Sequence, residues 1–191
     1  MIKITEIRWH ARGGQGAMLA ARTLARVAIS EGKYAQGMPE FGPERMGAPM
    51  RAYNRISDGN FSLYCAVVNP DVVVVLDSSL METIDVTEGI NKDGIIIVNT
   101  NQSPSELRRK LKLNTGKVYT VDATGISVAA LGRPMPNTPI MGAIVKATGG
   151  IVKLDGLLDD IKHSFGDKFS PKVIEGNITA IKKGYDEIKG E

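Results

Sequence analysis

Gly13, Gly14 and Gly16, with Gln15 among them and Arg12 in front, form the stretch of this 191-residue sequence best suited to chemistry. The glycines sit between an apolar, strand-like segment and an Ala- and Leu-rich run with helical spacing. A glycine loop that feeds a helix N-terminus leaves backbone N–H groups and the positive end of the helix dipole pointing at whatever binds there, so its natural ligand is an anion. The loop is not a nucleotide triphosphatase loop, because Gly16 is followed by Ala17 and Met18 where Lys and Ser or Thr are required. It fits the dinucleotide fingerprint only in part. Gly14 and Gly16 match the first two glycines, but Leu19 occupies the third place and residues 33–36 offer no acid to hold a ribose. Two readings stay open: a phosphate cradle, or glycines that only let the first helix pack closely on the first strand.

A second constellation is "PEFGPERMGAP", residues 39–49, in which Gly and Pro fix an irregular backbone and Glu40, Glu44 and Arg45 add charge. In an open α/β sheet such a loop is expected near the first one, at the carboxyl ends of strands where ligands bind. Arg12 and Arg45 would there meet a carboxylate or phosphate together. The alternative is a Glu44–Arg45 framework that pins the loop or meets a partner subunit. Other reactive patterns are missing. His10 ends the first strand and His163 lies in a polar helix, neither with an acid–base or metal partner in sequence, so both read as structural or solvated. No Ser/His/Asp order, zinc-protease motif or nucleophile elbow occurs. The single cysteine, Cys65, cannot supply a disulfide framework or a thiolate cluster site, and its apolar setting "LYCAVV" predicts a small buried hydrophobe.

Composition narrows the classes further. A net charge of +3, from 24 basic and 21 acidic residues without a strong cluster, argues against nucleic acid. The densest basic run, "RRKLK", reads as a solvated helix side. No apolar run approaches the roughly 18 residues of a membrane span. The opening "MIKITEIRW" lacks a signal peptide's apolar core, so the cytoplasm is the expected address.

The elements that position the loops follow from periodicity. Residues 2–10 predict a first strand and residues 17–30 a helix closed by Glu31-Gly32. Residues 33–50 are too rich in Gly and Pro for a regular element. "MRAYNRIS" and "FSLYCAVV" are expected to pair antiparallel across the Asp58-Gly59 turn. "DVVVVLD" and "GIIIVN" read as central parallel strands, with "SSLMETIDVTEGI" as their crossover helix. Residues 105–113 predict a helix opened by Ser103-Pro104, "KVYTVDA" a strand, and "TGISVAALG", "NTPIMGAIVKATGG" and "KVIEGNITAIKKGYDEI" helices, the second capped by Asn137 or Thr138. The expected fold is α/β, a three-layer α/β/α sandwich with a mainly parallel central sheet and an antiparallel hairpin, in one domain spanning residues 1–191.

Taken in order, "RWHARGGQGAMLAARTLA", "GKYAQGMPEFGPERMGAPMRAYNRIS", "NPDVVVVLD" and "NTPIMGA" resemble the gamma subunit of the 2-oxoacid:ferredoxin oxidoreductases, most closely the pyruvate enzyme, over nearly the whole chain. The resemblance implies a complex that decarboxylates pyruvate oxidatively with coenzyme A (CoA), giving acetyl-CoA, carbon dioxide and reduced ferredoxin. It implies thiamine diphosphate, Mg2+ and 4Fe-4S clusters held by alpha, beta and delta subunits, with none bound by this chain alone and none of the chemistry performed by it. The residues carried over are Arg12, Gly13, Gly14, Gln15 and Gly16, then Pro43, Glu44, Arg45, Gly47 and Pro49, and Asn137, as contacts to CoA or to a neighbouring subunit. Ala11 stands where many relatives have glycine, and Met46 where a basic or polar residue is common. The alternatives are a subunit of a 2-oxoisovalerate or other 2-oxoacid enzyme, and a free-standing nucleotide-binding module.

Overall fold

Glycine-punctuated strands and Ala-rich helices alternate along the chain, and a computed structural model describes residues 3–40, 46–166 and 168–191. The elements are β1 (Ile4–Arg12), α1 (Ala17–Ser30), β2 (Tyr34–Pro39), β3 (Pro49–Ser57), β4 (Val72–Val75), β5 (Ile95–Asn99), α2 (Pro104–Leu111), β6 (Lys117–Val121), α3 (Ala123–Leu131), α4 (Asn137–Ala147), α5 (Leu154–Phe165), α6 (Pro171–Glu187) and β7 (Lys189–Gly190). The seven strands form one sheet in the order β2-β3-β1-β4-β5-β6-β7. β1, β4, β5 and β6 run parallel. β3 is antiparallel to both β1 and β2, so β2 runs with the parallel set, and β7 closes the far edge antiparallel to β6.

The sheet is covered on both faces. On one, Ile7, Trp9 and Ala11 of β1, Val72 and Val74 of β4 and Ile97 of β5 pack under helices α1, α4, α5 and α6. On the other, Val73, Val75, Ile96, Val98 and Val118 meet Leu107 of α2 and Val86. This two-sided burial is why "VVVV" shows no polar alternation. Helix ends follow local chemistry: Ser103 and Glu106 form a capping box on α2, and Asp122 accepts from Gly125 N at 2.8 Å to cap α3. The basic run of α2 lies on its outer side, with Arg108 paired to Glu191.

Five expectations are corrected. Residues 34–39 form β2, an edge strand, because Gly37 lets α1 lie directly on it: a Cβ there would stand 2.8 Å from Ala21 O. β3 therefore has β2 on one side and β1 on the other, and "FSLYCAVV" finds no open edge. That segment instead loops over the fully buried Arg55, which donates to Leu63 O at 3.4 Å and Ala66 O at 3.3 Å while pairing with Glu6 at 2.7 Å. Most of its side chains turn outward, Val67 excepted, leaving Cys65 exposed rather than buried. The crossover after β4 is a 3-10 turn, Ser78–Glu82, rather than a helix, since Asp77 and Asp85 each bind the backbone two residues on and break the run. At α4 the cap position falls on Pro136, with Asn137 the first helical residue.

Candidate functional site

The site forms where β1 and β4, neighbours in the sheet, send their chains in opposite directions. β1 leads through the glycine loop into α1 and β2; β4 leads through Asp77 towards β5 on the other side. Such a switch point leaves a crevice at the carboxyl ends of the strands. The glycine loop is fixed there from both sides. Gly13 N donates to Ala48 O at 2.9 Å and Gly47 N to Gly13 O at 3.1 Å, which brings the two loops singled out in the sequence into direct contact. Gln15 Oε1 accepts from Arg12 N at 2.8 Å, and its Nε2 donates to Asp77 Oδ2 at 3.0 Å.

Arg12 completes that brace. Its Nε lies 3.2 Å from Asp77 Oδ2, while its Nη1 donates to Gly47 O at 3.2 Å and its Nη2 to Ser79 Oγ at 2.9 Å. The guanidinium thus ties the loop to the end of β4. Burial alone would raise the Asp77 carboxyl, but hydrogen bonds from Ser79 and Gln15 and the Arg12 charge outweigh it and hold it below the ordinary carboxylate value. Asp77 was not singled out in the sequence, although an acid directly after a continuous apolar strand marks the carboxyl end where sites form.

Helix α1 starts at Gly16, whose left-handed φ of 78° costs a glycine little. No side chain caps it and no acid lies in its first turn, so its first N–H groups and dipole are open to an anion. Asn137, buried at the start of α4, packs against Gly16 so closely that a Cβ there would stand 2.7 Å from Asn137 Nδ2. Its Oδ1 is buried without a hydrogen-bond partner among the described residues. The structure therefore joins Arg12, Gly13, Gly14, Gln15, Gly16, Gly47 and Asn137 in one place. Pro43, Glu44 and Arg45 lie outside the described residues.

Beside the loop opens a cavity of about 1060 Å3. Gly13, Gly14, Gly16 and Ala17 form its backbone-lined side, Met18, Leu19, Met46 and Met50 are its apolar lining, and Arg22 and Arg51 are its cations. One molecule with anionic and apolar parts suits such a lining.

A model of the pyruvate ferredoxin/flavodoxin oxidoreductase family matches residues 6–187. The chain belongs to this family. Among its relatives, the pyruvate synthase subunit PorC of Thermotoga maritima is 48% identical over 187 residues, 98% of this chain and 96% of that protein. The pyruvate/ketoisovalerate oxidoreductases common subunit gamma of Thermococcus kodakarensis is 51% identical over 182 residues, 95% of this chain and 96% of that protein. The crystal structure of the Thermotoga maritima pyruvate oxidoreductase subunit PORC shares the fold, with a TM-score of 0.88, 46% identity and 99% of each chain covered. The resemblance read from the two loops is thereby shown, and the free-standing nucleotide module is not the reading that these relatives favour.

For a member of the oxidoreductase family, this chain is sparing in redox-capable or metal-ligating groups. Cys65 is its one thiol, and among the described residues no three His, Cys, Asp or Glu come together as metal ligands would. The residues present do not fit an iron–sulfur cluster, which needs several thiolates. None of the helices among the described residues is long and apolar enough to cross a membrane.

Proposed function

We propose that this chain is the gamma subunit of a pyruvate:ferredoxin oxidoreductase and that it works as one domain, residues 1–191, in the cytoplasm. The reaction assigned to the complex takes pyruvate, CoA and oxidised ferredoxin to acetyl-CoA, carbon dioxide and reduced ferredoxin. Alpha, beta and delta subunits would hold thiamine diphosphate, Mg2+ and the 4Fe-4S clusters and would pass electrons to ferredoxin. This chain would supply binding surface near the active-site entrance and no reacting group. Family membership over residues 6–187 carries the assignment, and the names of relatives 48% and 51% identical support pyruvate as the substrate.

Within that role, the cavity at the glycine loop is a seat for CoA. The uncapped N-terminus of α1, with Gly13, Gly14 and Gly16, would receive phosphate through backbone N–H groups. Met18, Leu19 and Met50 would cover the apolar arm, and Glu44 and Arg45 would contact the ligand or a neighbouring subunit. Arg12, Gln15 and Asn137 hold the loop in shape for this. In the assembled complex, Leu19→Glu should raise the apparent KM for CoA and leave that for pyruvate unchanged. An unaltered CoA dependence, with loss of subunits instead, would make the face an interface. Retrieval of a tagged chain tests the partners, and a second set of companions beside the pyruvate enzyme's would identify a subunit shared with another 2-oxoacid oxidoreductase.

A further inference from the structure

His10 projects from β1 on the face opposite Trp9 and borders the cavity, yet only 1% of its surface is accessible. Arg8, two residues earlier on the same face, donates from Nε to His10 Nε2 at 3.1 Å. A guanidinium has no lone pair to offer, so this bond requires Nε2 to be the unprotonated nitrogen. The proton of the neutral ring must then sit on Nδ1. Nδ1 has no hydrogen-bond partner among the described residues, and the ring that carries it lines the cavity.

The surroundings define what this donor would meet. Arg8 spends its Nη2 on two carbonyls, Val86 O and Glu88 O, and makes no ion pair among the described residues. Arg51, opposite His10 on β3, has only a long contact with Glu40, at 3.8 Å, and that carboxylate also accepts from Tyr53 Oη at 2.7 Å. Two guanidiniums thus flank an uncharged ring, with Glu40 beside Arg51 and the carboxylates of Asp85 and Glu88 acting on the Arg8 side. Burial and these two charges hold His10 down to about 3, which keeps the ring neutral near pH 7.

We propose that His10 is a ligand-binding residue: its Nδ1–H, fixed by Arg8, donates to an anionic phosphoryl oxygen of the molecule in the cavity, beside Arg51. This rests on the reading of the cavity as a CoA seat and adds a second anion-binding point, distinct from the α1 N-terminus, on the β1–β3 wall.

Two substitutions separate donor from acceptor. Asn places an N–H where Nδ1 was but cannot reach Arg8, whereas Gln offers Arg8 an oxygen where Nε2 was and removes the N–H from the wall. CoA affinity is measured by calorimetry on the assembled complex for the wild type, His10→Asn and His10→Gln, with pantetheine, which lacks phosphate, as the second probe. The expected result is a weakening of about tenfold for His10→Gln with CoA, in line with loss of one hydrogen bond to a charged group. His10→Asn should remain within about twofold, and pantetheine should bind all three proteins alike. Weak binding by His10→Asn with normal binding by His10→Gln would show that the ring only satisfies Arg8, and equal affinities or equal losses would equally overturn the assignment. A His10→Gln penalty that persists with pantetheine would overturn the phosphoryl acceptor. A wild-type complex that does not bind CoA would overturn the cavity's ligand reading itself, a failure separate from one confined to the variants.

Discussion

Acid should expose the cost of burying His10 between two arginines. In the folded chain desolvation, then Arg8, then Arg51 lower its pKa, with Asp85 acting weakly the other way, so that it falls from 6.5 to about 3. A group whose folded pKa is depressed contributes stability that is complete above its unfolded pKa and is lost as pH falls through the window between the two values. At about pH 7 the unfolded chain gains almost nothing by protonating this residue. At about pH 5 most unfolded molecules carry the proton and almost no folded ones do. The linkage integral gives a loss of about 2 kcal/mol between those two pH values from His10 alone. His10→Gln keeps an acceptor for Arg8 and cannot titrate, so carboxylates and other groups common to both proteins cancel in the comparison. Urea unfolding at both pH values, followed by far-UV circular dichroism, should show the wild type losing about 2 kcal/mol more than the variant. Parallel losses in the two proteins would refute the picture of a desolvated, arginine-flanked neutral ring.

Other expectations follow from single contacts. Asn54 bridges four elements, accepting from Trp9 Nε1 at 2.9 Å and donating to Ala21 O at 2.7 Å and Gln36 O at 3.1 Å; Asn54→Ala should cost about 2–3 kcal/mol in denaturant unfolding by stranding those groups. Gly16→Ala adds left-handed strain to a collision with Asn137, and should lower stability by about 2 kcal/mol or more while weakening CoA binding. Exposed Cys65 should react with a thiol reagent in the native isolated chain, without denaturant, and resistance until unfolding would contradict its placement.

Much of this architecture was legible because local and global signals agreed. Residues 17–30 read as a helix and are one, bounded by the same glycines; the valine run of β4 and the Ser103-Pro104 start of α2 were equally plain. The failures share a cause, since they concern which partner a segment finds. "FSLYCAVV" has strand composition, but β3 had no free edge, and a buried arginine collected the segment's carbonyls instead. Residues 34–39 looked too glycine-rich for a strand, yet Gly37 is what lets α1 seat on it. At the site, spacing located the glycine loop, and the family resemblance supplied Asn137, which is far away in sequence and touches the loop in space. Spacing could not reveal that Arg12 would be claimed by Asp77, 65 residues on, nor that Arg8 would set the tautomer of His10.

The central claim is that this chain lends a binding surface to chemistry performed by its companions. Pyruvate- and CoA-dependent reduction of ferredoxin, measured for the complete complex, the complex lacking this chain and the chain alone, tests it most directly. The account predicts turnover by the complete complex, none by the chain alone, and activity restored to the depleted complex when the chain is added back. Ferredoxin reduction by the chain on its own, or full activity without it, would contradict the account.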